Sequence, residues 1–280
     1  MSEPLLMATG LEVTYGGRRT LAGQRVDGVK VLYGVDVAIR RGETIGIVGE
    51  SGSGKTTLGR ALLRLVDTSA GEIRFDGTDI THLPDARMRP LRRRMQMIFQ
   101  DPMASLNPRH TIRRILVEPL LLHGVASNRQ HAEQKVAAIL ERVTLPQACL
   151  DRNPHELSGG QRQRIGIARA ALLEPDFVLA DEVVSGLDVS TQAQVLNLLK
   201  GLSRDLGLSM AFISHDLSVI RAICDRVYVM RQGRVVEEGP CERVFSAPAS
   251  PYTRTLLDAI PLPEVDPDWL WRVSENEDAA

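Results

Sequence analysis

Residues 42–63 read GETIGIVGESGSGKTTLGRALL, and the order of residue types in that stretch decides the fold. Thr44 to Val48 is a strand-like apolar run, the turn Gly49-Glu50-Ser51-Gly52-Ser53-Gly54-Lys55-Thr56 follows directly, and a helix-forming run begins at Thr57. Glycines lack a Cβ, so consecutive backbone N–H groups can converge on a phosphate at the start of a helix. Lys55 is placed to bridge β- and γ-phosphates, and the Thr56 hydroxyl to ligate magnesium. Strand, glycine-rich turn and helix in that order predict a phosphate-binding loop.

Other strand-like runs end in polar residues suited to the same chemistry. Phe177 to Ala180 leads into Asp181-Glu182; Asp181 would hold magnesium through water, and Glu182 would polarise an attacking water. Gln100 follows the run Met95 to Phe99 and could sense metal and water. His215 follows Ser209 to Ser214 and could contact a γ-phosphate. Phosphoryl transfer relies on positioning and charge neutralisation more than on covalent chemistry, which suits this set. Leu157-Ser158-Gly159-Gly160-Gln161 precedes a run with helical periodicity, Ile165 to Leu173, so its hydroxyl and N–H groups sit at a predicted helix N-terminus.

Bulk properties narrow the class without deciding it. The chain has 280 residues, 43% hydrophobic and 25% charged, with a formal charge of −1. That balance gives no support to a nucleic-acid partner. Cys149, Cys224 and Cys241 are far apart and form no CxxC pattern, so neither a disulfide framework nor a zinc or iron–sulfur site is expected and a reducing compartment fits. MSEPLLMATG carries an acidic residue where a signal peptide has basic ones, and no apolar run approaches the roughly 18 residues of a membrane span. A membrane role would need another subunit for the spans.

Strand-like runs also occur at Leu11 to Tyr15, Val31 to Ile39 and Val227 to Met230. From Thr111 to Leu173 the period changes: Ile112, Ile115, Leu116 and then Val136, Ile139, Leu140, Val143 recur as on a helix face. The expectation is an α/β core interrupted by helices. Gly16 to Lys30, basic and glycine-rich, reads as a long loop. The stretch after Pro261, with its prolines and the acidic SENEDAA, reads as a frayed tail. The arginines 87, 89, 92, 93 and 94 read as a solvated basic face, and Trp269 and Trp271 as packing on the core.

The succession GESGSGKT, IFQD, LSGGQRQR, FVLADE, SGLD, SHD resembles the ATP-binding-cassette ATPases from Leu11 to about Ile260. The resemblance implies a RecA-like P-loop core with an antiparallel β-subdomain and an inserted helical subdomain at about 101–175. One ATPase domain would span 1–262, with a tail at 263–280. In that family two cassettes face each other, and each nucleotide lies between one chain's phosphate loop and the partner's signature. ATP-binding residues would be Gly49, Glu50, Ser51, Gly52, Ser53, Gly54, Lys55, Thr56 and Thr57. Tyr15 would stack on adenine, with Tyr33 as the alternative and core packing as the plain reading. Glu182, His215 and Gln100 would be catalytic, and Thr56, Gln100 and Asp181 would hold Mg2+. Leu157 to Gln161 would act on the partner's nucleotide, and Asp188 would link the sites in a D-loop. Val183-Val184-Ser185-Gly186 departs from the family's usual proline and alanine, which leaves the D-loop geometry open.

FQDPMASLNPRHTI, 99–112, and APASPYTRTLLDAIP, 247–261, are similar to the dipeptide, oligopeptide and nickel importer branch. That branch implies a second ATPase, sister or self, two transmembrane permeases, an extracytoplasmic solute-binding protein and a place at the cytoplasmic face of the membrane. Peptides are the expected cargo, with nickel, opines or oligosaccharides as alternatives. The branch's iron–sulfur cysteine motif is missing from the sequence, so no cluster is expected. A non-transport cassette acting on nucleic acid is the rival from another class. Only 58 residues separate Gln100 from Ser158, which leaves no room for a repair-type coiled coil.

Overall fold

The computed structural model describes residues 3–16, 18–19, 25–26 and 28–258. In chain order its elements are β1 (Leu6–Tyr15), β2 (Arg18–Arg19), β3 (Arg25–Val26), β4 (Val29–Ile39), β5 (Thr44–Val48), α1 (Lys55–Leu62), β6 (Ala70–Phe75), β7 (Thr78–Asp79), α2 (Asp85–Arg94), β8 (Met95–Ile98) and α3 (Pro102–Ser105). There follow α4 (Ile112–Leu122), α5 (Arg129–Arg142), α6 (Gly159–Ala171), β9 (Phe177–Asp181), α7 (Val189–Leu206), β10 (Ser209–Ile213), α8 (Leu217–Ile223), β11 (Arg226–Arg231), β12 (Arg234–Pro240), α9 (Cys241–Ser246) and α10 (Pro251–Asp258). They divide into two compact units, one running to Met88 and resuming at Ser209, the other Arg89–Leu208.

Besides the short β2–β3 pair, the described residues of the first unit form two sheets. One is antiparallel, in the order β4-β1-β6-β7. Its middle strand alternates, with Leu6, Ala8, Leu11 and Val13 turned inward and essentially inaccessible, the period-two signature of a sheet with one covered face. In the other, β5 pairs in parallel with β10 on one side and β11 on the other, and β12 closes the edge antiparallel to β11. All five residues of β5 and of β10 are buried, as parallel strands covered on both faces must be. Each such Ile or Phe contributes about 2 kcal/mol by leaving water. Gly46 of β5 lets α8 lie close, since a Cβ there would come 2.6 Å from Ile220. Tyr228 of β11 ties this sheet to β4: its hydroxyl accepts from the N–H of Ala38 and donates to its carbonyl, both at 3.1 Å.

In the second unit β8 and β9 pair in parallel, from Met95 with Phe177 to Ile98 with Ala180. Between them the described elements are α3 to α6 and two 3-10 turns, Gln147–Asp151 and Pro154–Glu156. The helical periodicity holds: Ile112, Ile115, Leu116 and Leu120 are buried on α4, and Ala132, Val136, Ile139 and Leu140 on α5. Asn128 starts α5 by accepting from His131 N–H at 2.9 Å, a side-chain cap worth about 1 kcal/mol.

Several readings of the chain need correction. The segment 16–30 is not wholly loop: the backbones of 18–19 and 25–26 pair antiparallel, and Val29 and Lys30 already belong to β4. Residues 17, 20–24 and 27, the tail from 259 with Trp269 and Trp271, and the end of the 247–261 segment lie outside the described residues. Strands β6, β7 and β12 and the first half of β1 add to the strand-like runs of the sequence. Among the described residues no helix is long and apolar enough to cross a membrane.

Candidate functional site

In the first unit the phosphate loop springs from β5 and ends in α1. Gly49 lies so close to β11 that a Cβ would come 2.2 Å from the Met230 carbonyl oxygen, so no side chain fits at the loop's first position. Gly54 caps α1 from the left-handed region at φ 101, where an L-residue is strained. Lys55 is 6% exposed, and its ammonium donates to the carbonyls of Gly49 and Glu50, both at 2.8 Å. The Ser53 hydroxyl is buried and has no hydrogen-bond partner among the described residues, although its backbone is fixed by Gly233 N–H at 2.9 Å. A buried hydroxyl without a partner is costly in an apolar interior. Beside a lysine and the N-terminus of α1 it fits an acceptor-rich anion such as a phosphate.

His215, in the same unit, follows β10 and is exposed. It is held between Ser214, whose hydroxyl accepts from Asp216 N–H at 3.0 Å, and Asp216, which caps α8 through Ser218 N–H at 2.9 Å. Tyr15 ends β1 with 42% of its surface exposed. Tyr33 is more engaged: its hydroxyl donates to Lys30 O at 3.0 Å, and the charged groups of Lys30 and Arg234 each lie 5.2 Å from its ring centre.

In the second unit Asp181 closes β9 and is 3% exposed. Glu182 follows at φ 48, a left-handed backbone that costs a glutamate on the order of 1 kcal/mol. The Gln100 amide donates to Glu182 Oε2 at 2.9 Å across a separation of 82 residues. Two residues picked from separate motifs therefore meet. Val183 and Val184 are both buried and Gly186 takes φ 76, so the unusual valine pair packs inward while the glycine accepts a turn conformation.

The signature forms the start of α6. Leu157 is buried, Ser158 is the N-cap, and Gly159 opens the helix. Ser158 Oγ accepts from Gln161 N–H at 3.3 Å, and Gln161 Oε1 accepts from Ser158 N–H at 3.0 Å. This reciprocal cap satisfies two backbone donors and leaves the N–H groups of Gly159 and Gly160, at the start of α6, without an intrahelical partner. Gly160 runs close to α7, where a Cβ would lie 3.5 Å from Thr191 Cγ2.

Asp188 caps α7. The Thr191 N–H first, then the hydroxyls of Thr191 and Ser190, hold its carboxyl down from the ordinary 3.8 to about 2. The folded value lies below the unfolded one, so the cap's stabilisation is complete above pH 3.8 and is lost as the pH falls through about 2. Asp188→Ala is therefore expected to lower the urea midpoint at neutral pH, and the gap to wild type to shrink on acidification. A gap independent of pH would contradict the charged cap.

One contact to the loop had no signal in the sequence. The Tyr252 hydroxyl of α10 accepts from Glu50 N–H at 3.2 Å, 202 residues away. The 247–261 segment was recognisable, but nothing in its composition pointed to the phosphate loop.

Residues 32–185 match the family described as ABC transporter, and residues 236–279 match the oligopeptide/dipeptide transporter C-terminal region. A putative peptide import ATP-binding protein of Brucella ovis is 54% identical over 263 residues, covering 94% of this chain and 80% of that one. The oligopeptide transport ATP-binding protein OppF of Bacillus subtilis is 49% identical, covering 86% and 79%. An ATP-binding cassette solved as a dimer in a post-hydrolysis state with ADP and Pi superposes with a TM-score of 0.75 at 27% identity, covering 84% of this chain and 98% of that one. The chain belongs to the ABC transporter family, as an ATP-binding cassette with an α/β P-loop ATPase fold.

Proposed function

We propose that this chain is the ATP-hydrolysing subunit of an importer for di- and oligopeptides, working at the cytoplasmic face of a membrane in a pair of cassettes docked on permease subunits. The observation that carries the reading is the union, in one chain, of a phosphate loop with its lysine and a C-terminal segment of the oligopeptide/dipeptide type. The loop's N–H groups, Lys55 and Ser53 would bind the β- and γ-phosphates, and Tyr15 would stack on adenine. Thr56, Gln100 and Asp181 are hard oxygen donors of the kind magnesium takes, and the ion would neutralise phosphate charge. Glu182 would accept the proton of the attacking water while Gln100 orients it. His215 would contact the γ-phosphate, and Asp188 would join the two sites. Ser158 and the N–H groups of Gly159 and Gly160 would serve the partner's nucleotide, so catalysis requires two cassettes. An extracytoplasmic binding protein would deliver the solute.

The test is reconstitution with the cognate permeases and binding protein in vesicles. ATP hydrolysis stimulated by peptides is expected. Stimulation by nickel or an oligosaccharide alone would overturn the cargo. Salt-sensitive nucleic-acid binding without permease association would overturn the transport reading.

A further inference from the structure

We propose that Tyr252, in the C-terminal segment, is a positioning residue for nucleotide binding: its hydroxyl orients the peptide group between Gly49 and Glu50 and, through that group, the Lys55 ammonium. The inference rests on the reading of Gly49 to Thr56 as the ATP site. A trans peptide is planar, with its N–H and C=O at opposite edges. Here the N–H edge, on Glu50, donates to Tyr252 at 3.2 Å, and the C=O edge, on Gly49, accepts from Lys55 at 2.8 Å. Turning the plane to release one partner also carries the other edge away. Each bond polarises the peptide group in the sense that strengthens the other. A Cβ on Gly49 would come 2.2 Å from the Met230 carbonyl oxygen, so β11 runs close beside this peptide group.

Tyr252 is fixed well enough to serve as an anchor. It is 8% exposed, and the Arg231 guanidinium lies 4.8 Å from its ring centre. The start of α10 is held in turn by Glu237, whose carboxylate accepts from the N–H groups of Ala249 at 2.7 Å and Ser250 at 3.0 Å. A rigid route therefore runs from β12 through α10 to the loop.

Tyr252→Phe removes the hydroxyl and keeps the ring. In the assembled transporter the KM for ATP is expected to rise about fivefold, the worth of one hydrogen bond, with kcat unchanged. The affinity of the full chain for ADP is expected to fall by the same factor. Tyr228→Phe is the control, because it deletes a buried phenol hydroxyl bonded to Ala38 instead of the loop; it should lower the melting temperature and leave the KM for ATP alone. An unchanged KM in Tyr252→Phe, or an equal rise in both variants, overturns the inference. A wild-type chain that binds no nucleotide overturns the site reading itself and this inference with it.

Discussion

Glu182→Gln is expected to keep nucleotide binding and to lower ATP turnover by a factor on the order of 10²–10⁴, the usual contribution of a positioned general base. The substitution is close to isosteric. Glutamine retains a side-chain oxygen that can accept from Gln100, the contact seen at 2.9 Å, so the left-handed turn after Asp181 loses no partner of known geometry. What disappears is the capacity to take a proton from water. Equilibrium binding measured beside single-turnover phosphate release separates the two effects. Near-normal hydrolysis in this variant would mean that the base lies elsewhere.

Lys55→Met should act on binding instead. Methionine keeps most of the apolar stem of a residue that is 6% exposed, while the carbonyls of Gly49 and Glu50 lose a charged donor at 2.8 Å. Hydrogen bonds to charged groups are worth about 1.5–3 kcal/mol each, and every 1.4 kcal/mol is about tenfold in affinity. A proposed contact of that strength between the Lys55 ammonium and the phosphates sets the expected loss in ATP and ADP affinity at about 10²-fold. Thermal melts at a fixed excess of nucleotide provide the readout, because ligand stabilises the fold by an amount that grows with the logarithm of its concentration over Kd. An equal rise in variant and wild type would remove Lys55 from the site.

Much of this arrangement was legible in the residues because buried parallel strands are written as continuous apolar runs. Thr44 to Val48 was bounded without error, and Met95, Phe177 and Ser209 each marked a strand start. The polar residue after each run then supplies the expected site residues Gln100, Asp181, Glu182 and His215. The strands that escaped are edge or half-exposed ones. In β6 only two of six residues, Ile73 and Phe75, are buried, and β12 carries Glu237 and Glu238 in a pattern that resembles a loop. β12 folds straight back on β11, with Arg234 paired to Arg231, whereas β6 is made a strand by β1, a partner distant in the chain that local periodicity cannot supply. The Tyr252 contact was illegible for the same reason: a hydrogen bond across 202 residues leaves no local trace.

The closed cap at the start of α6 has a consequence for how two cassettes meet. Ser158 and Gln161 hold each other, and the Arg162 guanidinium donates to Leu157 O at 2.8 Å, so these rotamers are chosen when the single chain folds. Immobilising such side chains during association costs about 0.5–1.5 kcal/mol apiece; here that entropy has already been lost. An approaching cassette meets a formed edge, and closure resembles rigid docking more than coupled folding. Its heat-capacity change should then scale with the apolar area covered at the interface, with no added part from ordering the signature.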